Sequence, residues 1–221
     1  MATEDLIRVG SYISVLTVMA TWELVAPRRK LTASKLCRWG GNLTIVVLNT
    51  LIARLLFAGG VVAMAVTAQE RGWGLMNWVD GPAWLEMGLA VVLLDFIIYW
   101  QHQVFHWVPI LWRFHMMHHS DLDLDVSSGV RFHPVEMVIS LLVKSAAVIA
   151  LGVAPLAVVV FEIVLNATAM FNHGNVKIPL SVEPMLRWFV VTPDMHRIHH
   201  SVNVRETNIN YGFNVPWWDR L

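Results

Sequence analysis

The sequence predicts an all-α integral membrane protein, with about four transmembrane helices, including a helical hairpin, and a cytoplasmic helical cap that carries a histidine-rich dimetal site. Three observations predict it. Of 221 residues, 56% are hydrophobic and only 14% are charged, against roughly 25% charged in an ordinary soluble domain. Apolar stretches of the length that crosses a bilayer, about 20 residues, recur along the first three quarters of the chain. All ten histidines fall between His102 and His200.

The first apolar stretch, 6–26, follows Glu4 and Asp5, and no small-residue cleavage site follows its basic flank, so it reads as a retained anchor rather than a removed leader. Arg28, Arg29, Lys30, Lys35 and Arg38 crowd the link to the second stretch, 43–68. In the next link, around 69–82, Arg71 is offset by Glu70 and Asp80. Positive charge collects on the cytoplasmic side, so the first link is expected to face inward. The third stretch, 83–105, then delivers His102 and His106 to the cytoplasmic end.

Two further apolar segments, 135–151 and 155–171, are split by Gly152 and Pro155. As a hairpin they add two passes and as a re-entrant dip none; either returns His173 and His196 to the side of His102. The polar remainder is expected to form the cap, with a helix around 194–201. No repeat or flexible linker divides the chain, which reads as residues 1–82, transmembrane helices and basic loop, joined to a histidine-bearing region 83–221 in one structural unit. Arg54 lies inside the second stretch near Asn49, where an ion pair with Asp95 or Glu162 is expected to satisfy it.

Lysine plus arginine and aspartate plus glutamate total sixteen each, which gives no sign of a nucleic-acid partner. The one cysteine, Cys37, excludes an intrachain disulfide and a thiolate cluster. Histidine is left to carry metal chemistry. Eight histidines form three clusters, His102-x3-His106, His115-x2-His118-His119 and His196-x2-His199-His200. Partners three or four residues apart share a helix face and can grip one ion. So many imidazoles exceed the four ligands of one zinc ion, which argues for two metals; iron, copper, nickel and zinc all suit imidazole. Ligating histidines commonly donate their second ring N–H to a carboxylate. Asp95, seven residues before His102, Glu136 after His133 and Asp194 before His196 are placed for that, whereas Asp121, Asp123 and Asp125 read as a solvated loop.

Six motifs carry a resemblance. They are Asp95-x6-His102-x3-His106, Trp112-x2-His115-x2-His118-His119, Phe132-His133-Pro134-x-Glu136, Asn172-His173-Gly174-Asn175, the run from Thr192-Pro193-Asp194 to His199-His200, and Asn210-Tyr211-Gly212 with Trp218-Asp219-Arg220-Leu221. In order and spacing they resemble the fatty acid hydroxylase/sterol desaturase superfamily, most closely its compact bacterial members, over residues 95–221. The first eighty residues resemble it only in being apolar helices with a basic loop. At its end the sequence departs from the pattern, in which a Phe-Gly-Thr turn and a short tail commonly follow.

The resemblance implies a membrane-bound non-haem di-iron oxygenase. It would use O2 and two electrons to hydroxylate an unactivated C–H bond of a lipid (fatty acyl, sterol or other isoprenoid), with a desaturase on the same site as the alternative. It implies two iron ions, which zinc can replace in a purified sample. Their ligands would be His102, His106, His115, His118, His119, His173, His196, His199 and His200, with His133 added, although its place before a proline at a helix start also suits capping. Asp95, Glu136, Asp194 and Asn175 are expected to support them. The substrate would arrive from the bilayer. The chain has no Gly-x-Gly-x-x-Gly fingerprint and no cysteine set, so a separate ferredoxin, rubredoxin or cytochrome b5-like donor is expected, with Arg113, Arg187, Arg197 and Arg205 as its landing patch. The expected location is a bacterial inner membrane with the metals on the cytoplasmic side. Rival readings are a metal transporter, which would spread ligands through the depth of the spans, a zinc hydrolase, and a non-catalytic metal-binding membrane protein.

Overall fold

The computed structural model describes residues 2–78 and 81–221; Asp80, weighed above in the charge of the second link, lies outside them. The described residues form ten α-helices and no strand beyond one isolated antiparallel bridge, Pro27 with Val176. The helices are α1 (Ala2–Val25), α2 (Lys35–Leu56), α3 (Gly60–Glu70), α4 (Ala83–Trp107), α5 (Pro109–His119), α6 (Pro134–Leu151), α7 (Pro155–Asn172), α8 (Glu183–Leu186), α9 (Pro193–His199) and α10 (Val204–Thr207). Proline begins α5, α6, α7 and α9, where its missing N–H costs no hydrogen bond.

Four stretches are long and apolar enough to cross a membrane: Lys35–Trp78, Ala83–Trp107, Pro134–Leu151 and Pro155–Asn172. At 1.5 Å per residue the two 18-residue helices reach about 27 Å, close to the roughly 30 Å of a hydrocarbon core. The first apolar stretch forms most of α1 but is not among the four; Arg8 and Glu23 interrupt it. The second stretch is not one straight helix. It breaks between Leu56 and Gly60, where Gly59 and Gly60 take φ of 89° and 64°, a backbone region that a side chain disfavours.

α6 and α7 are a hairpin of two span-length helices. Gly152 turns α6 off at φ 71° and its N–H returns to Val148 O, as a left-handed C-cap requires. A Cβ at Gly74 would stand 2.1 Å from Gly152 N, so these two glycines let the end of α3's link meet the end of α6 backbone to backbone. The core lies where α3, α4, α6 and α7 meet, with Val61, Val62, Ala65, Leu94, Ile98, Val148 and Phe161 buried.

Helix direction fixes where the polar ends gather. α1 runs alongside α7, Arg8 pairing with Glu162 and, further along, Pro27 bridging to Val176. α6 sets out beside α2, where Asn49 donates to Phe132 O, and finishes beside Gly74. The starts of α2 and α6 therefore lie with the ends of α1, α4 and α7, and α5, α9 and the C-terminal segment cover that end of the bundle.

The ion pair expected for Arg54 is not formed. Arg54 is exposed in the last turn of α2, with no acidic partner among the described residues. Both carboxylates proposed for it are occupied: Asp95 accepts from Trp218 Nε1, and Glu162 takes Lys144 and Arg8. A cation in a helix's last turn still interacts favourably with the helix dipole.

Candidate metal centre

Nine imidazoles converge at the covered end of the bundle in two adjacent groups. His102, His106, His115, His119 and His199 form one; His118, His173, His196 and His200 form the other, and in each the ligand atoms lie within 4.8 Å of one another. The helix repeat explains the division. α4 gives His102 and His106, one turn apart, to the five-membered group. α5 gives its i and i+4 residues, His115 and His119, to that group and the i+3 residue, His118, to the other. α9 does the reverse, sending His196 and His200 to the four-membered group and His199 across. His173, at the C-cap of α7, completes the four. The two groups touch where His119 and His200 stack, their centroids 4.3 Å apart.

The hydrogen bonds decide which ring nitrogen is free. Nδ1 of His102 donates to Tyr211 O (2.8 Å), of His199 to Ile209 O (2.9 Å), of His173 to Ala169 O (2.7 Å) and of His118 to Arg131 O (3.2 Å). A carbonyl only accepts, so these rings carry their proton on Nδ1 and turn a bare Nε2 lone pair inward. Nε2 of His102 then stands 3.1 Å from Nε2 of both His115 and His199, and Nε2 of His173 stands 3.1 Å from Nε2 of both His118 and His196. In the pairs His102–His199 and His118–His173 both Nε2 atoms are bare, and lone pairs facing at that range repel unless a cation lies between them. Two nitrogens on one ion at about 2.0–2.1 Å, with angles near 90–110°, are about 2.8–3.4 Å apart. The donor set fits two metal ions.

Burial prepares the ligands. It holds the imidazoles of His115, His118, His119, His196, His199 and His200 well below the usual histidine range, neighbouring rings adding to the effect, and lowers His173 to about 4. All seven are neutral near pH 7, as metal ligation needs.

Of the four supporting residues read from the sequence, Glu136 alone touches an imidazole: His115 Nδ1 donates to its Oε1 at 2.6 Å, and the carboxylate is buried. Asp95 instead accepts from Trp218 Nε1 at 2.7 Å and so anchors the C-terminal segment. Asp194 is shared by Arg28 and Arg197. Asn175 exchanges hydrogen bonds with the backbone of Arg29. His133 also stands apart from both groups. Its Nδ1 accepts from Val135 N–H as the N-cap of α6, and its ring lies against Phe114.

The loop read as solvated is buried. Asp123 and Asp125 are 1% and 0% exposed. Arg38 donates to Asp121 and Asp125, both at 2.7 Å, and Asp123 takes the backbone N–H groups of Thr32 and Ala33. The basic link thus serves as the counter-charge of the acidic loop, and the two hold the segment between α5 and α6 in place. Of the expected landing patch, Arg187 and Arg197 are drawn into ion pairs with Glu183 and Asp194, while Arg113 and Arg205 are exposed.

Asn210, at φ 56°, is the one non-glycine residue in the left-handed region among those described. It separates Ile209 from Tyr211, whose carbonyls receive the Nδ1–H of His199 and His102. Asparagine tolerates this conformation better than most residues, and its Nδ2 donates to Met195 O. Asp219 takes the N–H groups of Tyr211 and Gly212. The Asn-Tyr-Gly and Trp-Asp motifs are therefore one device that presents two backbone carbonyls to two histidines. The carbonyls carry no sequence signal; the motif that presents them does.

The sequence model of the family described as Fatty acid hydroxylase matches residues 87–221. Among curated proteins, the chain is 30% identical to the ornithine lipid hydroxylase OlsE of Rhizobium tropici over 95% of its own length and 64% of that protein's. It is 26% identical to the alkylglycerol monooxygenase of Homo sapiens over 66% of this chain and 31% of that one. It is 25% identical to a putative Delta(7)-sterol-C5(6)-desaturase 2 of Arabidopsis thaliana over 68% and 53%. The chain thus spans less than two thirds of the length of these relatives. No solved structure matches it significantly.

Proposed function

The chain belongs to the fatty acid hydroxylase family, and from that premise we propose that it is a membrane-bound non-haem di-iron oxygenase that hydroxylates an unactivated C–H bond of a lipid. The observation that carries this reading is the inward convergence of nine imidazoles in two groups at one end of a bundle of span-length helices. Ligands confined to one end suit chemistry at a membrane surface better than an ion path, which needs them along its length. The match to residues 87–221 supports 83–221 as the catalytic region, with 1–82 as its transmembrane partner.

Two iron ions held there would supply O2 activation, in which one oxygen atom enters the C–H bond and the other leaves as water with two electrons and two protons. The chain's part is to bind, orient and exclude water. The carbonyls of Tyr211, Ile209, Ala169 and Arg131, with Glu136, fix ring tautomer and aim, which strengthens each imidazole as a donor. His102, His115, His118, His173, His196 and His199 are buried, which keeps bulk water from the reacting centre. The substrate is a lipid delivered from the bilayer, and the electrons come from a separate ferredoxin, rubredoxin or cytochrome b5-like protein. The five basic residues from Arg28 to Arg38 support a cytoplasmic location in a bacterial inner membrane, because Arg28 and Arg38 bond residues of the histidine-bearing end.

The test is anaerobic reconstitution with ferrous ion, Mössbauer spectroscopy, and admission of O2 with reductant in the presence of a membrane lipid extract. Hydroxylation predicts a mass gain of one oxygen atom. Loss of two hydrogens would assign a desaturase, and zinc-dependent turnover without O2 would overturn the proposal.

A further inference from the structure

A cleft of about 470 Å3, within the size range of small-molecule sites, opens onto the centre with one histidine from each group, His119 and His200, in its lining. Arg28, Arg29 and Arg197 line the same cleft, together with Leu122 and Ile198. It also holds three carboxylates, but two of them are committed. Both oxygens of Asp121 are held by Arg38, at 2.7 and 2.8 Å. Asp194 is divided between Arg28 and Arg197. Glu206 is exposed, beside Asn203.

The guanidinium groups are less fully used. Arg29 gives one N–H to Leu122 O at 2.8 Å and stands 3.8 Å from Asp123, whose other oxygen already accepts from Thr32 and Ala33. Arg28 bonds through Nε alone. Nε of Arg197 is buried without a partner. Spare hydrogen-bonding capacity in the walls is thus mainly of the donor kind, in planar forks that match a carboxylate or phosphate. Leu122 and Ile198, both exposed, give hydrocarbon a surface beside them.

We propose that this cleft seats the oxyanion of an amphiphilic substrate, a carboxylate or phosphate of its head group, against Arg28, Arg29 and Arg197. The proposal rests on the oxygenase reading and narrows its substrate class. Because the arginines and the two histidines line one cleft, a substrate held by its charge presents carbons near its head group to the metals, rather than the far end of an acyl chain.

Calorimetry on the full chain in neutral detergent tests this without turnover, using dodecyl phosphate, 1-dodecanol and inorganic phosphate as probes. Dodecyl phosphate is expected to bind at least about tenfold more tightly than either other probe, the effect of one charge-assisted hydrogen bond. Arg29→Gln should remove about that factor and Arg29→Lys restore part of it, with metal content unchanged in both. Arg28→Gln gives an independent second variant, and the comparison of probes on the unaltered chain needs no variant. Equal binding of 1-dodecanol overturns the proposal, as does dodecyl phosphate binding that ignores all three substitutions. Inorganic phosphate binding as tightly as dodecyl phosphate would make this a free-anion site. Arginine variants that slow reduction by an acidic redox protein but keep their dodecyl phosphate affinity would make it a protein-docking face. If the arginine-dependent binding is found but the iron-loaded chain oxidises no lipid, the oxygenase reading fails, and the cleft is an amphiphile-binding site without the substrate role.

Discussion

On the two-metal proposal, Glu136→Gln is expected to weaken metal binding at the five-membered group and spare the four-membered one. The carboxylate is buried, and its Oε1 accepts the Nδ1–H of His115 at 2.6 Å, while His115 belongs to the five-membered group only. Glutamine keeps an acceptor at that point and removes the charge. A hydrogen bond to a charged group contributes about 1.5–3 kcal/mol and one to a neutral group about 0.5–1.5, so the exchange costs about 1–1.5 kcal/mol, roughly 5- to 13-fold in an equilibrium constant. Loss of a carboxylate partner behind a ligating histidine typically costs 10- to 100-fold in metal affinity, and the amide acceptor that glutamine retains places this exchange at the lower end of that range. The loss should appear at one ion because no ligand of the four-membered group bonds Glu136. Competitive chelator titration of the metal-loaded chain resolves the two affinities, with Asp194→Asn as the control, since Asp194 bonds arginines and no imidazole. Equal weakening of both ions, or none, would refute the assignment of ligands to groups.

His133→Ala should leave metal content unchanged and cost about 0.5–2 kcal/mol of stability through the lost N-cap of α6; thermal denaturation and metal analysis on one sample check both, and loss of an ion would make His133 a ligand. Asn210→Val should destabilise by about 1–3 kcal/mol, because a β-branched residue resists φ of 56°, whereas Asn210→Gly should hold the turn and the metal; thermal midpoints and metal content compare them. The metal-free protein should lose stability as pH falls from about 6.5 towards 4. Unfolded histidines take up protons near pH 6.5, while His173 waits until about 4 and six other imidazoles outside the spans titrate well below their usual range. The unfolded chain therefore binds more protons across that window, and stability rises with pH there. Thermal midpoints between pH 7 and 4 that stay constant without metal would contradict it.

Much of the centre was legible because helix periodicity converts histidine spacing into a shared face. The supporting groups were less legible, for geometric reasons. Asp194 and His196 are two residues apart and so point to different sides of α9. Asp95 and His102 share a face of α4, but seven residues place them about 10 Å apart along the axis, beyond reach of a ring N–H. In the sequence Arg38 is one of five charges that orient the chain. Its role as partner of Asp121 and Asp125 joins segments more than eighty residues apart, which no local pattern records. His133 carries the metal-ligand residue type, yet its position before Pro134 turned it into a cap.

By itself the sequence determined that apolar helices of span length make up much of the chain, that histidine is the residue type able to hold metal, and that the clusters meet on one side, since hydropathy, residue type and helical repeat are local properties. Tertiary structure decided how nine rings divide into five and four, which carbonyls and which single carboxylate hold them, and which acids serve α2 and the C-terminal segment instead. Those outcomes depend on how helices rotate and slide against one another when packed, and that is set by the whole bundle at once.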